Sequence, residues 1–358
     1  MLKNQEIRFV NKTGKVGWRS PSNIAIVKYW GKYGQQLPQN PSFSFTLNNA
    51  YTETFIDWDY KKRKGLDFDF LFEGDKQASF KVKIETYLKL ILEDFPFLEN
   101  VSMKINSKNS FPHSSGIASS ASAMSALALC ICTMEKNIAG DHVNKSEETF
   151  LQRASFFARL GSGSACRSVF PSGAIWGSSK DIEKSSNNFA IPWESEIHPT
   201  FLNFHDDILI ISKKEKSVSS RAGHALMESN IYAEIRFEEA RERLITLVSI
   251  LEKGDVEAFG ILAEAEAMSL HALMMMSNPS YILMKGNTLT AIEKIKQFRS
   301  TSGLPVFYTL DAGPNIHLLY PDEIKADVSK FIENELRPLC EDDKIINDHV
   351  GQGPISLC

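Results

Sequence analysis

The stretch Phe111-Pro-His-Ser-Ser-Gly-Ile-Ala-Ser-Ser-Ala-Ser-Ala123 leads from a loop rich in Pro, Ser and Gly into a helical pattern of small and apolar residues. That pattern runs from Ile117 to Glu135 and is apolar almost all round, which indicates a buried helix. A loop that enters such a helix presents free backbone N–H groups and hydroxyls at the positive end of the helix dipole. The stretch therefore predicts an anion site, although it lacks the Gly-Lys-Ser/Thr ending of a Walker loop. A serine-capped core helix without a ligand is the alternative.

The length and composition of the chain limit the kinds of ligand that such a site can bind. With 358 residues the chain is long enough for two domains with a cleft between them. Its 43% apolar and 23% charged residues are typical of a soluble globular protein. The formal net charge of -4 argues against a nucleic-acid partner held by an overall cationic surface. Any phosphate must therefore be bound by a few individual Lys and Arg side chains.

Strand and helix patterns alternate in the first half of the chain. Strands are predicted at Asn23–Lys28, Ser42–Leu47, Tyr51–Trp58, Leu66–Phe72 and Val101–Asn106. In addition to the buried helix at 117–135, helices are predicted at Lys76–Leu92 and Ser146–Leu160. The second of these opens with the capping signature Ser146-Glu-Glu.

A polar segment from about Asp181 to His198 predicts the domain boundary, and we place the domains at residues 1–195 and 196–358. Strands in the second half are predicted at Ile208–Ser212, Pro305–Leu310 and Ile316–Tyr320. Helices are predicted at Ala222–Glu252, Val256–Met276 and Leu289–Arg299, and from Asp322 onward. This β-α-α-β-β-α order predicts an α+β sandwich with antiparallel pairing.

The cysteines and the apolar segments predict a reduced, cytoplasmic setting. The five cysteines lack zinc-type spacing and are scattered along the chain, at Cys130, Cys132, Cys166, Cys340 and Cys358. Residues 1–11 lack the apolar core of a signal peptide. The longest apolar stretch, at 123–134, is shorter than the roughly 20 residues that span a bilayer, so we expect no membrane association.

Directly after the helix at 146–160 comes Gly161-Ser-Gly-Ser-Ala-Cys-Arg167. Its glycines permit close backbone approach to a ligand, its serines offer hydroxyls, and Arg167 carries the planar fork that suits a carboxylate or phosphate. A helix-ending turn with an exposed arginine is the alternative. Cys166 is predicted to be a packed small side chain, because no histidine near it in sequence would activate it.

Two further segments follow predicted strands. In Lys28-Tyr-Trp-Gly-Lys32 two cations bracket two aromatic residues, and they either neutralise a polyphosphate or form a solvated strand end. In Thr309-Leu-Asp-Ala-Gly-Pro-Asn315 an acid precedes a tight turn, where it either accepts a proton from a substrate hydroxyl or caps the turn. His113, His224 and His271 show no metal-ligand spacing, and we predict structural or supporting roles for them.

Taken together and in this order, these segments resemble the mevalonate diphosphate decarboxylase family of the GHMP kinase superfamily. The similarity is carried by residues 20–32 (Ser-Pro-Ser-Asn-Ile-Ala-Ile-Val-Lys-Tyr-Trp-Gly-Lys), 37–40, 111–120, 158–168 and 308–315, and it spans about residues 17–320. The resemblance implies an α+β, two-domain GHMP kinase-like fold with the active site in the cleft between the domains. The N-terminal mixed β/α domain binds ATP and substrate, and the C-terminal domain is a ferredoxin-like α/β sandwich.

The resemblance also implies an activity and the residues that perform it. ATP and Mg2+ serve to phosphorylate the 3-hydroxyl of mevalonate 5-diphosphate, which then loses phosphate and carbon dioxide to give isopentenyl diphosphate. The implied catalytic residues are Asp311, which orients or deprotonates the hydroxyl, Arg167, which grips the carboxylate, and Lys28, near the transferring phosphate. The implied substrate contacts are Tyr29, Lys32, Ser162, Ser164 and Arg167. The implied ATP contacts are Ser114, Ser115, Gly116, Ser119 and Ser120, with Ser120 also implied as a magnesium ligand.

His113-Ser-Ser115 and Pro41 depart from the usual family pattern, but neither removes a charge that the reaction uses. Three alternatives stay open: a decarboxylase of mevalonate 5-phosphate, a superfamily kinase that does not decarboxylate, and a binding protein without catalysis. Retention of Tyr29, Lys32 and Ser162 favours the diphosphate, and Arg167 with Asp311 argues against a plain kinase. We expect small-molecule partners alone, with no nucleic acid and no membrane, and the sequence leaves monomer and homodimer both open.

Overall fold

The structure is a computed structural model that describes residues 11–112, 119–139, 146–193, 196–214 and 218–358. The strands are β1 Thr13–Val27, β2 Lys32–Tyr33, β3 Leu37–Pro38, β4 Ser42–Tyr60, β5 Asp67–Phe72, β6 Val101–Asn109, β7 Gly173–Trp176, β8 Ala190–Pro192, β9 His205–Leu209, β10 Phe307–Thr309, β11 Ile316–Tyr320, β12 Ile345–Ile346 and β13 Ile355–Ser356. The α-helices are α1 Ala78–Leu90, α2 Ser119–Ala139, α3 Glu147–Gly161, α4 Pro199–Leu202, α5 Ser220–Ala225, α6 Ala233–Lys253, α7 Val256–Met275, α8 Gly286–Ser302 and α9 Lys325–Phe331.

A mixed sheet of seven strands forms the N-terminal half. Its order is β13-β1-β4-β6-β5, with β7 joined to β4 and β8 to β7. β5 and β6 are parallel and are connected through α1, whereas the other neighbours are antiparallel. Helix α2 packs on β1 and β4 and against α3. This confirms the predicted buried helix, whose Ala121, Ala128 and Leu129 are completely inaccessible to solvent. The predicted cap of α3 is confirmed too, because the Ser146 hydroxyl accepts the Thr149 N–H.

Two predicted strands, at 42–47 and 51–58, are one continuous strand, β4. Asn48 and Asn49 interrupt its apolar pattern but remain extended, and the carboxylate of Asp348 accepts both of their backbone N–H groups at 2.8 Å. The predicted strand at 23–28 likewise reaches back to Thr13. A shift of register just after Pro21 accommodates the proline, which has no N–H to donate to a ladder.

Four antiparallel strands form the second sheet, in the order β10-β11-β9-β12. Helices lie between β9 and β10 and between β11 and β12, which is the β-α-β-β-α-β arrangement of a ferredoxin-like sandwich. The implied fold of the C-terminal domain is therefore confirmed. Within the part of the chain that is described, α7 alone has the length and apolar composition of a membrane-crossing helix. It is a core helix here, packed against α6, β10 and β1, and 56% of its apolar window is buried.

The single helix predicted at 222–252 is wrong. Helix α5 ends at Ala225, a 3-10 turn follows at Leu226–Ser229, and α6 begins at Ala233. The side chain of Asn230 accounts for the break, because its Oδ1 accepts the Tyr232 N–H at 2.9 Å and its Nδ2 donates to the Leu273 carbonyl at 3.1 Å. The break separates α5 from the long α6 and leaves α5 beside the end of β1, where His224 contacts Gly31.

The two halves of the chain are joined by a shared core and by a returning segment. Phe45 of β4 packs on Phe201 and Phe259 of the second half, at ring-centroid distances of 6.5 and 5.9 Å. Residues 345–356 run from β12, which pairs with β9, to β13, which pairs with β1. The boundary at 195/196 remains a prediction.

Candidate active site

A cavity of about 690 Å3 opens where the end of β1, the turn at 161–167, helix α5 and the segment after β10 meet. It brings together nine of the sequence-predicted site residues: Lys28, Tyr29, Lys32, Ser119, Ser120, Ser162, Ser164, Arg167 and Asp311. The predicted residues Ser114, Ser115 and Gly116, like His113, lie outside the described residues. We call Lys28, Arg167 and Asp311 the floor of the cavity, and Lys32, Ser119, Ser120 and Arg221 its rim.

The first part of the floor is an ion pair between the two halves of the chain. Lys28 follows β1, is 2% exposed, and donates from Nζ to Asp311 Oδ1 at 3.2 Å. Asp311 follows β10, and 26% of its side chain remains exposed to the cavity. Burial lowers the pKa of Lys28, and the nearby Asp311 carboxylate opposes that shift. The pair thus places a proton acceptor, Asp311, next to a buried cation, Lys28. Asp311 can remove a proton from a ligand while Lys28 stabilises negative charge that develops beside it.

The second part of the floor is Arg167, which the 3-10 turn at Gly163–Val169 carries into the interior. Its guanidinium is 2% exposed, donates to Ser42 Oγ and to Asn23 Oδ1, and lies 5.8 Å from the Trp176 ring. Within the described part of the chain no carboxylate forms an ion pair with it, and its Nε has no hydrogen-bond partner. Burial lowers the pKa of Arg167, yet a guanidinium stays charged. A buried cation held only by neutral groups is suited to an anionic ligand.

Aromatic rings and one glycine shape the wall between floor and rim. The Tyr29 ring lies 4.7 Å from Trp176 and 4.6 Å from His224. A Cβ atom at Gly163 would lie 2.9 Å from both Tyr29 Oη and the Trp176 ring, so only glycine lets the 161–167 turn approach this closely. Burial raises the pKa of Tyr29, and its phenol therefore remains protonated as a hydrogen-bond donor.

Serines connect the turn to the start of α2. Ser120 Oγ and Ser162 Oγ lie 3.1 Å apart, so the helix and the turn offer neighbouring hydroxyls to a ligand. The Ser164 carbonyl accepts from Asn23 Nδ2 at 3.2 Å, which fastens the turn to β1. The sequence had predicted both motifs but not this contact between them.

Two cations mark the rim. Lys32 lies on the β2–β3 hairpin, and its Nζ donates to Gln36 Oε1 at 2.9 Å. Burial and the neighbouring Arg221 both lower the pKa of Lys32. Two like charges this close favour a bound anion, because an anion relieves their repulsion. The sequence analysis did not predict Arg221, although it directly follows Ser219-Ser220. A search for a second cation to accompany Lys32, next to a pair of serines, would have found it.

Two of the three histidines, His224 and His271, have supporting contacts of the predicted kind, and His113 lies outside the described residues. His224 Nδ1 accepts the Gly31 N–H at 2.9 Å, and its ring stacks on Trp30 at 4.4 Å. Burial, together with the charge of Lys32, lowers the pKa of His224 to about 3, so the ring is neutral. His271 Nε2 lies 3.1 Å from the Asp311 carbonyl oxygen, and since a carbonyl only accepts, the ring nitrogen donates.

A second, mostly apolar cavity of about 620 Å3 adjoins the first and shares Lys32, Gln36, Ser119 and Ser120 with it. It extends between α1, α2 and the strands β5 and β6. Its lining includes Phe72, Phe80, Tyr87, Met124 and Leu127. Together the two cavities form a polar compartment and an apolar compartment, and the start of α2 lies at their junction. This shape suits a ligand with a flat apolar group at one end and phosphates at the other.

The donor atoms fit magnesium that is delivered with a phosphorylated ligand. Among the residues that the structure describes, no group of three or more His, Cys, Asp or Glu could hold a metal ion. Mg2+ is usually bound by one or two protein oxygens together with substrate phosphates and water. The Ser120 hydroxyl, in the same cavity as Asp311, is compatible with that mode.

The cysteines take no part in the site. All five are free thiols, and Cys166, within the 161–167 turn, is fully buried. Burial raises the pKa of the Cys166 thiol to about 12, so it stays protonated at neutral pH. The prediction of a packed small side chain is confirmed.

Two family models match the chain: a diphosphomevalonate decarboxylase-like N-terminal domain at residues 20–188 and a mevalonate 5-diphosphate decarboxylase C-terminal domain at residues 207–355. The chain belongs to the diphosphomevalonate decarboxylase family. A member from Ganoderma lucidum is 28% identical over 334 residues, covering 87% of this chain and 80% of that one. A member from Gibberella zeae is 29% identical over 335 residues, covering 88% and 83%.

Solved structures of diphosphomevalonate decarboxylases agree with this assignment. The crystal structure of the Staphylococcus aureus enzyme superposes with a TM-score of 0.81 at 25% identity and covers 97% of this chain and 98% of that one. A structure described as MDDEF in complex with MVAPP, AMPPCP and magnesium gives a TM-score of 0.80 at 25% identity, with 96% and 99% covered. The two-domain GHMP kinase-like fold implied by the sequence is confirmed.

Proposed function

We infer that this family member catalyses the ATP-dependent decarboxylation of mevalonate 5-diphosphate to isopentenyl diphosphate, carbon dioxide, phosphate and ADP. Its relatives are diphosphomevalonate decarboxylases, and one similar structure is described as a complex with MVAPP, AMPPCP and magnesium. The observation that supports the assignment of roles is the contact of Lys28 with Asp311, at 3.2 Å, in a cavity that also contains the guanidinium of Arg167, which forms no ion pair with a carboxylate of the described residues.

The first chemical step is phosphorylation of the tertiary 3-hydroxyl. Asp311 accepts the hydroxyl proton while the oxygen attacks the γ-phosphorus of ATP and the bond from that phosphorus to ADP breaks. Lys28, which is buried and forms an ion pair with Asp311, stabilises as an ammonium group the negative charge that spreads over the transferring phosphoryl group. The step converts a poor leaving group into a phosphate ester.

The second step releases phosphate and carbon dioxide. When the carbon–oxygen bond at carbon 3 breaks, positive charge develops at that carbon and the phosphate leaves with the electron pair. The bond between carbon 2 and the carboxylate then breaks, and its electrons form the double bond. Arg167 binds the carboxylate and holds it in place beside carbon 3, while its own guanidinium is anchored by Ser42 and Asn23.

The remaining residues bind the two ligands. The substrate diphosphate contacts Tyr29 and Lys32, and the hydroxyls of Ser162 and Ser164 line the same compartment. ATP phosphates contact Ser119 and Ser120 at the start of α2, and we also assign to them Ser114, Ser115 and Gly116, which lie outside the described residues. The apolar cavity beside α2 takes the adenine. Ser120 would hold the magnesium ion together with the phosphates, and when bound the ion neutralises their charge.

A coupled assay that follows ADP and carbon dioxide on mevalonate diphosphate tests the proposed function. We expect one ADP for each carbon dioxide. Release of ADP without carbon dioxide would identify a plain kinase of the superfamily, and faster turnover of mevalonate 5-phosphate would identify a monophosphate decarboxylase. Ligand binding without either product would identify a binding protein.

Location, assembly and domain limits are part of the same proposal. The five free thiols support a reducing, cytoplasmic compartment. We keep residues 1–195 and 196–358 as the two domains, and light scattering of the purified chain distinguishes a monomer from a homodimer.

A further inference from the structure

A buried carboxylate lies directly behind the floor of the cavity. Glu266 belongs to α7 and its side chain is 0% exposed. Its Oε2 accepts the backbone N–H of Lys28 at 2.8 Å and Arg236 Nη2 at 2.6 Å, and its Oε1 accepts Arg243 Nη1 at 2.9 Å. A side chain of the second half therefore holds the main chain of the residue that carries the floor's ammonium group.

Stability alone is a weak explanation for this cluster. Burying a carboxylate with arginines costs desolvation that the attraction between the charges often fails to exceed, so apolar residues of similar volume serve a core as well or better. The N–H of Lys28 needs only one acceptor, which a neutral oxygen would supply. What the cluster adds is a rigid link between α6, α7 and the end of β1.

The same helix also reaches the other member of the ion pair. His271, little more than one turn beyond Glu266 on α7, donates from Nε2 to the Asp311 carbonyl at 3.1 Å. On the opposite side of Lys28, Asn40 Nδ2 donates to the Lys28 carbonyl at 2.9 Å. The main chains of Lys28 and Asp311, which come from different halves of the molecule, are thus both fastened to one helix.

We propose that Glu266 is a positioning residue that holds Lys28 in register with Asp311, so that α7 sets the distance between ammonium and carboxylate. The inference rests on the proposed function, in which these two groups flank the reacting hydroxyl. Misplacement of a reacting group by about 1 Å can cost about 100-fold in rate, so a rigid link of this kind has a measurable effect.

The charge of Glu266 has a second, separable effect. Burial lowers the pKa of Lys28, and Asp311, Glu266 and Asp206 all act in the opposite direction. Removing the negative charge of Glu266 therefore lowers the pKa of Lys28 further. The cation is then lost at a lower pH, and the alkaline fall of kcat moves toward neutral pH.

Glu264 provides a matched control on the same helix. It is 12% exposed, and its carboxylate pairs with Arg299 of α8 at 2.6 Å, whereas that of Glu266 accepts the Lys28 N–H. We would compare Glu266→Gln with Glu264→Gln by steady-state assay of ADP and carbon dioxide, by nucleotide binding and by thermal unfolding. Glu266→Gln is expected to lower kcat by about 100-fold, to leave KM for both substrates nearly unchanged, and to move the alkaline limb to lower pH. Glu264→Gln is expected to keep the wild-type kcat.

Equal kcat for wild type and folded Glu266→Gln would overturn the proposal, as would equal losses in the two glutamine variants. If Glu266→Gln does not fold, Glu266→Asp decides the question, because it keeps the charge and withdraws the carboxylate from the Lys28 N–H. If Glu266→Asp lowers kcat and leaves the alkaline limb of the pH profile unchanged, the result supports the positioning role of Glu266. A wild-type kcat for Glu266→Asp contradicts that role. Failure of the wild-type chain to release carbon dioxide would instead refute the proposed function.

Discussion

Lys28 and Lys32 lie four positions apart in one segment, yet the structure gives them opposite surroundings. Lys28 is 2% exposed and its charge is balanced by Asp311. Lys32 lies on a hairpin at the rim, where its Nζ donates to the neutral Gln36 and the like-signed Arg221 helps to lower its pKa. Lys28 is thus electrically paired before any ligand arrives, whereas Lys32 at the rim, like Arg167 on the floor, has no carboxylate partner among the described residues. We propose that floor residues govern the rate of the chemistry and rim residues govern the affinity for phosphates.

Replacement of Asp311 by asparagine is the strongest test of this division. Asparagine preserves the shape but cannot accept the hydroxyl proton, so kcat should fall by about a thousandfold while both KM values change little. Steady-state release of ADP and carbon dioxide measures the effect, with Asp322→Asn, at an exposed carboxylate outside the cavity, as the control. An Asp311→Asn enzyme with wild-type kcat would contradict the role of the floor.

The next largest effect is expected from Arg167→Lys. Lysine keeps the positive charge but lacks the planar guanidinium, which donates to both Ser42 and Asn23 and still faces the ligand. The kcat should therefore fall by about 100-fold. Arg153→Lys, in a partly exposed pair with Glu135, is the matched control. If the two variants lose the same small amount of activity, the planar fork of Arg167 has no special part in the reaction.

Lys32→Met probes the rim. Loss of a hydrogen bond from a charged group is worth about 1.5–3 kcal/mol, which corresponds to an increase in KM for mevalonate diphosphate of roughly 10- to 100-fold. The kcat should stay close to the wild-type value. Lys15→Met, at an exposed pair with Asp57, controls for surface charge. A fall in kcat with unchanged KM would show that Lys32 acts in the chemistry as the floor residues do, and it would contradict the proposed difference between floor and rim.

Ser120→Ala should have the smallest effect. Ser120 would supply one neutral oxygen beside the phosphates and waters that make up most of a Mg2+ shell, and a neutral contact contributes about 0.5–1.5 kcal/mol, so KM for ATP should rise by less than about tenfold. KM for mevalonate diphosphate should not change, because Ser120 is assigned to the nucleotide. Isothermal titration with a non-hydrolysable ATP analogue and with mevalonate diphosphate separates the two affinities. A larger loss for the diphosphate would move Ser120 from the nucleotide to the substrate.

The site residues could be predicted from the sequence where they stand in a short, distinctive motif. Lys28, Arg167, Asp311 and the serines of α2 each stand in a distinctive motif, and the fold brings them into one cavity. Helix α2 could be predicted because its apolar character continues over many residues. The implied ferredoxin-like sheet needed the family resemblance, since its short strand β12 carries no periodic pattern of its own.

Contacts between distant residues could not be predicted in this way. The hydrogen bond from the Lys28 N–H to Glu266 joins residues 238 positions apart, and Glu266 looks like one more acid on an apolar helix. The break at Asn230 depends on a bond to Leu273, so the helical pattern around 222–252 gave no sign of it. Strand β4 continues through Asn48 and Asn49 with the help of Asp348, which no local propensity encodes.

The path of residues 345–356 has a consequence for biosynthesis. Asp348 accepts the N–H groups of Asn48, Asn49 and Ala50, and β13 pairs with β1, so the first sheet is completed by residues translated after all its other strands and after β9, β10 and β11 of the second sheet. A nascent chain that stops at the domain boundary would carry an unpaired β1 edge and would lack the acceptor of three backbone donors, of which the Ala50 N–H is buried. The N-terminal half should therefore reach its native state only after translation of the C-terminal half, and separately expressed halves should be prone to aggregation rather than to reassembly.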